Sequence, residues 1–176
     1  MLKTISSVEI AELAKDFGLS IALVKTVILV ESAGRGFDPK TGNIKIQFEP
    51  HEFRKRTGLT IQNSVENQTQ EWIAYEEAKS HNWKEALMSS SWGMGQIMGY
   101  NHEAAGYVNV AGMVSDFKVS EYYQVKGMLT LIRNNKTMYS ALKRLDWALF
   151  ARLYNGPKYE LNDYDTKLQN AYNKVC

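Results

Sequence analysis

The sequence predicts an α+β protein that is mostly helical, with one small β-element near the start of the chain. Three observations support this. Apolar residues recur at helical spacing through most of the chain, and one short segment alternates instead. No internal repeat, low-complexity tract or linker divides the 176 residues. We therefore expect a single domain over residues 1–176.

The first two helices are predicted from their caps. Ser6 is followed three residues later by Glu9, the signature of a capping box, and Gly18 suits the left-handed residue that ends a helix. Ser20 then caps a second helix. The apolar positions of this second helix are Val24, Val27 and Ile28. The pattern predicts two short helices joined by a tight turn.

A change of period predicts the β-element. Ile44, Ile46 and Phe48 alternate with polar residues after a turn at residues 38–42, so we expect a strand over Ile44–Phe48. From about Gln68 onward the helical period returns, with a break at Ser91–Gln96. Further helix starts are predicted at Asn82, Asn101, Asn109, Ser120, Thr137, Asp146 and Asp163.

Composition and charge exclude several classes of protein. Hydrophobic residues make up 44% and charged residues 23% of the chain, so it can bury a core and is not intrinsically disordered. The 21 basic and 19 acidic residues give a net charge of +2, too small to indicate a nucleic-acid partner. The single cysteine, Cys176, excludes an internal disulfide framework.

The first two helices resemble a DNA-binding helix-turn-helix in outline only. The second has Lys25 as its one basic residue and lacks the Arg, Asn and Gln that read base edges, so we expect no nucleic-acid partner. The longest apolar run, residues 19–30, is shorter than the ~20 residues of a membrane span. No secretory signal is visible. We expect a monomer made in the cytoplasm, without stable membrane insertion.

Glu31 is the residue that most strongly suggests chemistry. It continues the apolar positions of the second helix, so it lies on the apolar face at that helix's carboxyl end. Partial desolvation and the negative end of the helix dipole both disfavour its ionisation. A carboxyl group kept protonated near neutral pH suits a general acid that protonates a glycosidic oxygen. From position alone, the alternative is a structural glutamate paired with Arg35.

Other catalytic constellations are absent from the sequence. His51, His81 and His102 lack the spacing of a metal site, and Cys176 has no nucleophile context. The glycines at Gly93 and Gly95 are too few for a phosphate-binding loop. We therefore expect no metal and no other cofactor.

Three motifs in order, Glu31-Ser32, Trp92–Gln96 and Ala151–Gly156, resemble the Glu-Ser, Gly-x-x-Gln and Ala-x-x-Tyr-Asn signatures of the lysozyme-like superfamily. Goose-type lysozymes and lytic transglycosylases share this pattern. The chain is most similar to the N-acetylmuramidase family of bacteriophage endolysins, through the further segments Gln47–Phe53 and Tyr164–Leu168. The resemblance covers nearly the whole chain, and its specificity lies in the order and spacing of the motifs together.

The resemblance implies a lysozyme-like fold, with a glycan cleft between a helical lobe and a small β-containing lobe. It implies cleavage of the β-1,4 bond between N-acetylmuramic acid and N-acetylglucosamine in peptidoglycan, with Glu31 as the catalytic acid. Peptidoglycan glycan strands are then the expected partner. An endolysin made without a signal peptide would reach the cell wall after release from the host cytoplasm.

Glu49 is the candidate second carboxylate, because it ends the predicted strand on its polar face. A separation of about 6.5–9.5 Å from Glu31 would favour an inverting mechanism, and about 5–5.5 Å a covalent one. The structural alternative is a glutamate paired with Arg54 or Lys55, and Asp38 is a third carboxylate to consider. Without a base, the 6-hydroxyl of muramic acid can attack instead, as in lytic transglycosylases.

The remaining motif residues suit substrate binding. Trp92 and Tyr154 are candidates for stacking on sugar faces, while Gln96 and Asn155 offer amides to N-acetyl groups. Ser32, next to the proposed acid, is grouped with them. Each motif has a structural alternative. Trp92 could be a core residue, Gln96 could bind buried backbone groups, and Tyr154-Asn155 could simply mark the end of a helix before Gly156-Pro157. A non-catalytic glycan-binding or phage-tail module on the same fold is the remaining functional alternative.

Overall fold

Residues 4–63, 67–157 and 159–176 are described by the computed structural model of the protein, except for the side chains of Ser32 and Ala33. The predicted class is confirmed, since most of the described chain is helical and one small sheet is present. The α-helices are α1 Ser7–Asp16, α2 Ile21–Val30, α3 Pro50–Thr57, α4 Gln68–His81, α5 Trp83–Met88, α6 Val110–Val119, α7 Glu121–Asn134, α8 Lys136–Lys143, α9 Trp147–Asn155 and α10 Tyr164–Val175. The strands are β1 Ile46–Phe48, β2 Ser90–Trp92 and β3 Ile97–Met98.

The predicted caps at the start of the chain are confirmed. Ser6 and Glu9 form both hydrogen bonds of a capping box at α1. Gly18, between α1 and α2, has a φ of 61°, in the left-handed region. The Ser20 hydroxyl accepts a hydrogen bond from the Leu23 N–H at the start of α2. Local side-chain chemistry therefore fixes the helix pair that leads to Glu31.

The predicted strand is shorter than expected. β1 covers Ile46–Phe48, while Ile44 forms only an isolated bridge with Phe37. β1 pairs antiparallel with β2, with Ile46 opposite Trp92, and β2 pairs antiparallel with β3. The break predicted at Ser91–Gln96 is the hairpin that joins β2 to β3.

Two side chains of α4 cover the edge of β1 that faces away from β2. The Gln68 side chain accepts a hydrogen bond from the Ile46 N–H and donates one to the Ile46 carbonyl. Glu71 accepts a hydrogen bond from the Phe48 N–H. The short sheet is thus closed on that side by a helix rather than by another strand.

Most of the other predicted helix starts are confirmed. The side chains of Asn82, Asn109 and Asp146 each accept a hydrogen bond from the backbone at the start of a helix. Ser120 and Asp163 directly precede α7 and α10.

Two starts are wrong, and one helix was missed. Asn101 ends a short 3₁₀-helix, Gly99–Asn101, instead of opening an α-helix. α8 is capped by Asn135, whose side chain accepts from the Met138 N–H, so it begins before Thr137. The helix that was not predicted is α3, which has Pro50 at its start and Gly58 with a φ of 77° at its end.

Helices along the whole chain contribute fully buried apolar residues to the core, such as Val24 of α2, Met128 of α7 and Phe150 of α9. α10 packs against both α2 and α9. The end of the chain therefore lies beside the helix that leads to Glu31. No helix in the described ranges has the length and apolar character needed to cross a membrane.

Candidate active site

A cavity of about 670 Å³ opens at the carboxyl end of α2. Its wall combines residues from the 3₁₀-helix that follows α2, β1, the β2–β3 hairpin and the 3₁₀-helix after it, α7, α8, α9 and α10. They are Glu31, Gln47, Gly95, Gln96, Ile97, Met98, Tyr100, Asn101, Leu131, Met138, Leu153, Tyr154, Asn155, Gly156 and Tyr164. Glu31, Gln96, Tyr154 and Asn155, all predicted from the motifs, lie together on this wall.

Glu31 is a buried carboxyl group on the cavity wall. It follows the last residue of α2, begins the 3₁₀-helix Glu31–Gly34, and is only 7% exposed. No described residue donates a hydrogen bond to its carboxylate. Burial alone raises the pKa of Glu31 to about 8, because desolvation penalises the charged form. The group is therefore mostly protonated at neutral pH, as a general acid requires.

Two tyrosines stand close enough to Glu31 to interact electrostatically with it. Burial raises the pKa of Tyr154 well above its usual value, and the nearby Glu31 carboxylate raises it further. The pKa of Tyr164 is raised by the same two causes, in the same order. Both hydroxyls therefore stay protonated, and each has one O–H to donate.

Gln96 occupies a left-handed backbone position, with a φ of 45°, in the hairpin turn. Its side-chain Nε2–H donates to the Gly93 carbonyl at 2.7 Å, and its Oε1 accepts from the Ser91 hydroxyl at 2.8 Å. The amide therefore braces the turn. It keeps one further N–H and one further lone pair that a ligand can use.

α9 is fastened to the hairpin by Tyr154, whose hydroxyl donates to the Gly95 carbonyl at 3.4 Å. One face of the Tyr154 ring is stacked on Phe150, with centroids 5.6 Å apart. Next to it, the Nδ2 atom of Asn155 is buried without a hydrogen-bond partner in the described chain. An unpartnered buried amide on a cavity wall is a ready donor for a ligand oxygen.

Trp92 does not lie on the cavity wall. It is 0% exposed, its Nε1–H donates to the Leu87 carbonyl, and its ring meets Tyr75 edge-to-face at 5.2 Å. Every residue of β2 is buried, so a side chain on either face of this strand enters the core. Trp92 is therefore a core residue, which was the structural alternative to its predicted role, and no sugar can stack on its ring.

The aromatic ring at the mouth of the cavity is that of Tyr100, which is 41% exposed. The guanidinium of Arg56 lies over this ring, 5.4 Å from its centroid. Tyr100 is not among the residues predicted from the sequence, because the pattern of residues does not separate an aromatic side chain at the rim of a cavity from one in the core. Tyr164 has no predicted role either, although this residue opens one of the motif segments.

The two other carboxylates considered from the sequence lie outside the lining of this cavity. Glu49 is half-buried at the N-cap of α3, and its backbone N–H donates to the Ser89 carbonyl. Asp38 sits in an exposed turn, where hydrogen bonds from the Lys40 N–H and the Thr41 hydroxyl lower its pKa. From β1, the residue on the wall is Gln47.

The side chain of Ser32, predicted to bind substrate, lies outside the described part of the chain. Within residues 4–63, 67–157 and 159–176, no group of three or more His, Cys, Asp or Glu side chains is arranged to hold a metal ion.

Comparison with known proteins gives a family and a structural neighbour. A family model described as N-acetylmuramidase matches residues 20–176. Among solved structures, the chain is similar to the crystal structure of the Burkholderia AP3 phage endolysin, with 30% sequence identity and a TM-score of 0.89. The match covers 99% of this chain and 72% of that one. No curated protein matches.

Proposed function

Because the chain belongs to the N-acetylmuramidase family, we propose that it cleaves the β-1,4 bond between N-acetylmuramic acid and N-acetylglucosamine in peptidoglycan. The coarser assignment, a peptidoglycan-hydrolysing enzyme, follows from the family and from the similarity to a phage endolysin. The observation that carries the finer proposal is Glu31, a buried carboxyl group without a hydrogen-bond donor among the described residues, on the wall of a cavity.

In this proposal Glu31 is the general acid. Its raised pKa, about 8, keeps the proton on the carboxyl group until a glycosidic oxygen enters the cavity. Glu31 then transfers the proton to that oxygen as the bond to the anomeric carbon breaks, and the positive charge develops on the sugar ring. Tyr164, close to the acid, can donate a hydrogen bond to the carboxylate that forms, whereas the Tyr154 hydroxyl donates to the Gly95 carbonyl.

The second step requires a nucleophile at the anomeric carbon. We propose Glu49 as the base that activates a water molecule, since it follows Gln47 by two residues and continues the same face of the chain from β1. One observation favours transglycosylation as a second candidate function. Among described residues, Glu31 is the only carboxylate on the cavity wall. The 6-hydroxyl of muramic acid would then attack the anomeric carbon, and Glu31, having given its proton to the leaving sugar, would take up the proton of that hydroxyl.

A polymeric substrate fits the shape of the site. A second cavity of about 250 Å³ shares Asn101, Leu131 and Met138 with the first and extends it to Asn134 and Asn135. The combined groove offers amide groups to the acetamido and hydroxyl groups of successive sugars. Within it we propose Asn155 and Gln96 as substrate-binding residues, together with Ser32 and Tyr154.

We expect this enzyme to act as an endolysin that reaches the wall after synthesis in the host cytoplasm. The similar solved structure is that of a phage endolysin, and a groove for glycan strands is the feature that such a role requires.

The test is a digest of purified peptidoglycan, with the reduced fragments analysed by mass spectrometry. Reducible muramic-acid ends, lost on Glu31→Gln and kept in the exposed control Glu77→Gln, are the expected result. The loss in kcat should be about 10³-fold, within the range for removal of a general acid. Anhydro ends would assign the chain to transglycosylation. Binding to sacculi without release of fragments would instead support a glycan-binding module.

A further inference from the structure

Two buried polar side chains of α7 hold, from behind, the loops that carry the cavity wall. Glu121 and Gln124 lie one turn apart on this helix and are 3% and 0% exposed. Neither lines the cavity. Their hydrogen bonds, however, reach the segment that follows Glu31 and the hairpin that contains Gln96. We call this pair the α7 clamp.

Glu121 binds the segment that follows the proposed acid. Its Oε1 accepts a hydrogen bond from the Gly36 N–H at 2.8 Å, five residues beyond Glu31. Its Oε2 accepts from the Ile5 N–H at 3.0 Å. One buried carboxylate thus ties the loop after the 3₁₀-helix to α7 and to the segment before α1.

Gln124 binds the hairpin. Its Oε1 accepts a hydrogen bond from the Met94 N–H at 2.7 Å, and its Nε2–H donates to the Phe117 carbonyl at 2.9 Å. Met94 directly precedes Gly95 and Gln96, which lie on the cavity wall. One amide of a neighbouring helix therefore helps to hold that wall in position, beside the pairing of β2 with β1.

Both loops approach Gln124 so closely that a side chain would not fit. A Cβ at Gly36 would overlap Gln124 Oε1, and a Cβ at Gly93 would lie 2.7 Å from the same atom. The loops also meet through Lys45, whose N–H donates to the Gly36 carbonyl and whose carbonyl accepts from the Gly93 N–H. Gly36, Lys45 and Gly93 form one hydrogen-bonded layer, and Gln124 packs against it.

We propose that Glu121 and Gln124 are positioning residues, which fix the spacing between Glu31 and the hairpin wall that faces it. This inference rests on the proposed function, because it assigns the spacing to a catalytic acid and its substrate. The physical basis is that an error of about 1 Å in the position of reacting groups lowers a rate roughly 10²-fold, while the substrate is still bound.

The chain supplies a matched control. On α4, Gln68 makes the same two kinds of bond with its amide, accepting from the Ile46 N–H and donating to the Ile46 carbonyl. Its target is the edge of β1 that faces away from the hairpin. Gln124→Met and Gln68→Met therefore each remove one accepted and one donated backbone hydrogen bond through the same substitution, and only the first acts on the two loops.

The experiment measures kcat, KM and Tm for wild type, Gln124→Met and Gln68→Met on purified peptidoglycan. We expect both variants to lose Tm, but only Gln124→Met to lose kcat, by roughly 10–100-fold with KM within about threefold of wild type. Equal kcat losses in the two variants would overturn the proposal, because the clamp would then act through stability alone.

A milder variant covers the case in which Gln124→Met does not fold. Glu121→Gln keeps the shape and one acceptor oxygen but sets an amide N–H against the Gly36 or Ile5 N–H. We expect a lower kcat and, by NMR titration, a Glu31 pKa that moves down towards its ordinary value as water enters the loosened site. An unchanged kcat and an unchanged Glu31 titration would contradict the clamp. A wild-type protein without activity would instead contradict the proposed function, and the titration would still test the clamp.

Discussion

Glu31 and Glu121 are both buried glutamates, and they differ in what surrounds the carboxylate. Glu121 accepts two backbone N–H groups, from Gly36 and Ile5, whereas no described residue donates a hydrogen bond to Glu31. Glu71, the third buried glutamate of the described residues, resembles Glu121, since it accepts from the Phe48 N–H and the Asn63 side chain.

The difference teaches where this fold tolerates an unfavourable interaction. A hydrogen-bonded carboxylate recovers much of its lost hydration, so Glu121 and Glu71 can join segments of the chain. Glu31 recovers none of it from the described residues, and its pKa is raised to about 8 as a result. A folded protein keeps such a group where the proton is used, which is why the comparison separates the proposed acid from the structural glutamates.

The largest expected effect is on stability. Replacing Glu31 and Glu121 by glutamine should change the free energy of unfolding in opposite directions. The folded-state pKa of Glu31, about 8, lies above its ordinary value of 4.5, so the protein loses stability as pH rises between these values. The total loss is on the order of 3–5 kcal/mol. Glu31→Gln abolishes it, and we expect the free energy of unfolding at pH 8 to rise by about 1–3 kcal/mol after the cost of burying the amide.

Glu121→Gln should change stability in the other direction. It leaves one backbone N–H without an acceptor, which costs about 1–3 kcal/mol. Urea unfolding of both variants at pH 8 and pH 4 is the measurement. At pH 4 the gain from Glu31→Gln should disappear, because Glu31 is then mostly protonated in both states. A destabilised Glu31→Gln protein at pH 8 would show that its carboxylate is structurally paired after all.

The sequence predicted the features that depend on nearby residues. Ser6, Ser20 and Asp146 were recognisable as caps because a cap acts within three residues of itself. Glu31 was recognisable because a carboxylate interrupted an apolar helix face, and a family motif fell on the same residue. These signals are local, and the structure has the three caps at helix starts and Glu31 at the carboxyl end of α2.

The features that the sequence did not predict depend on distant packing. Tyr164 joins Glu31 at the cavity because α10, at the end of the chain, packs on α2, near its start. Trp92 and Tyr100 are aromatic residues on either side of the same hairpin, and only the burial of β2 on both faces puts the first in the core. Gln124 lies on the buried face of a helix, and nothing in the neighbouring sequence indicates which loop its side chain binds.

The second expected effect concerns the pH dependence of catalysis. If Glu31 acts in its protonated form, activity should fall as pH rises through about 8, by roughly tenfold per pH unit well above that value. Initial rates on peptidoglycan between pH 5 and pH 10 measure this, with Tm followed at each pH to exclude unfolding. An alkaline limb near pH 5 would mean that Glu31 ionises normally and has no special environment.

The smallest expected effect separates substrate binding from the chemistry of Glu31. Tyr100 lines the mouth of the cavity and Arg56 covers one face of its ring, so we expect the other face to pack on a sugar. Tyr100→Ala should raise KM about three- to tenfold, with little change in kcat and the same alkaline limb. Trp83→Ala is the control, because Trp83 is 58% exposed on α5 and outside the cavity lining. If Tyr100→Ala lowered kcat and left KM unchanged, the ring would contribute to the transition state, and the catalytic wall would extend beyond the buried acid to the rim.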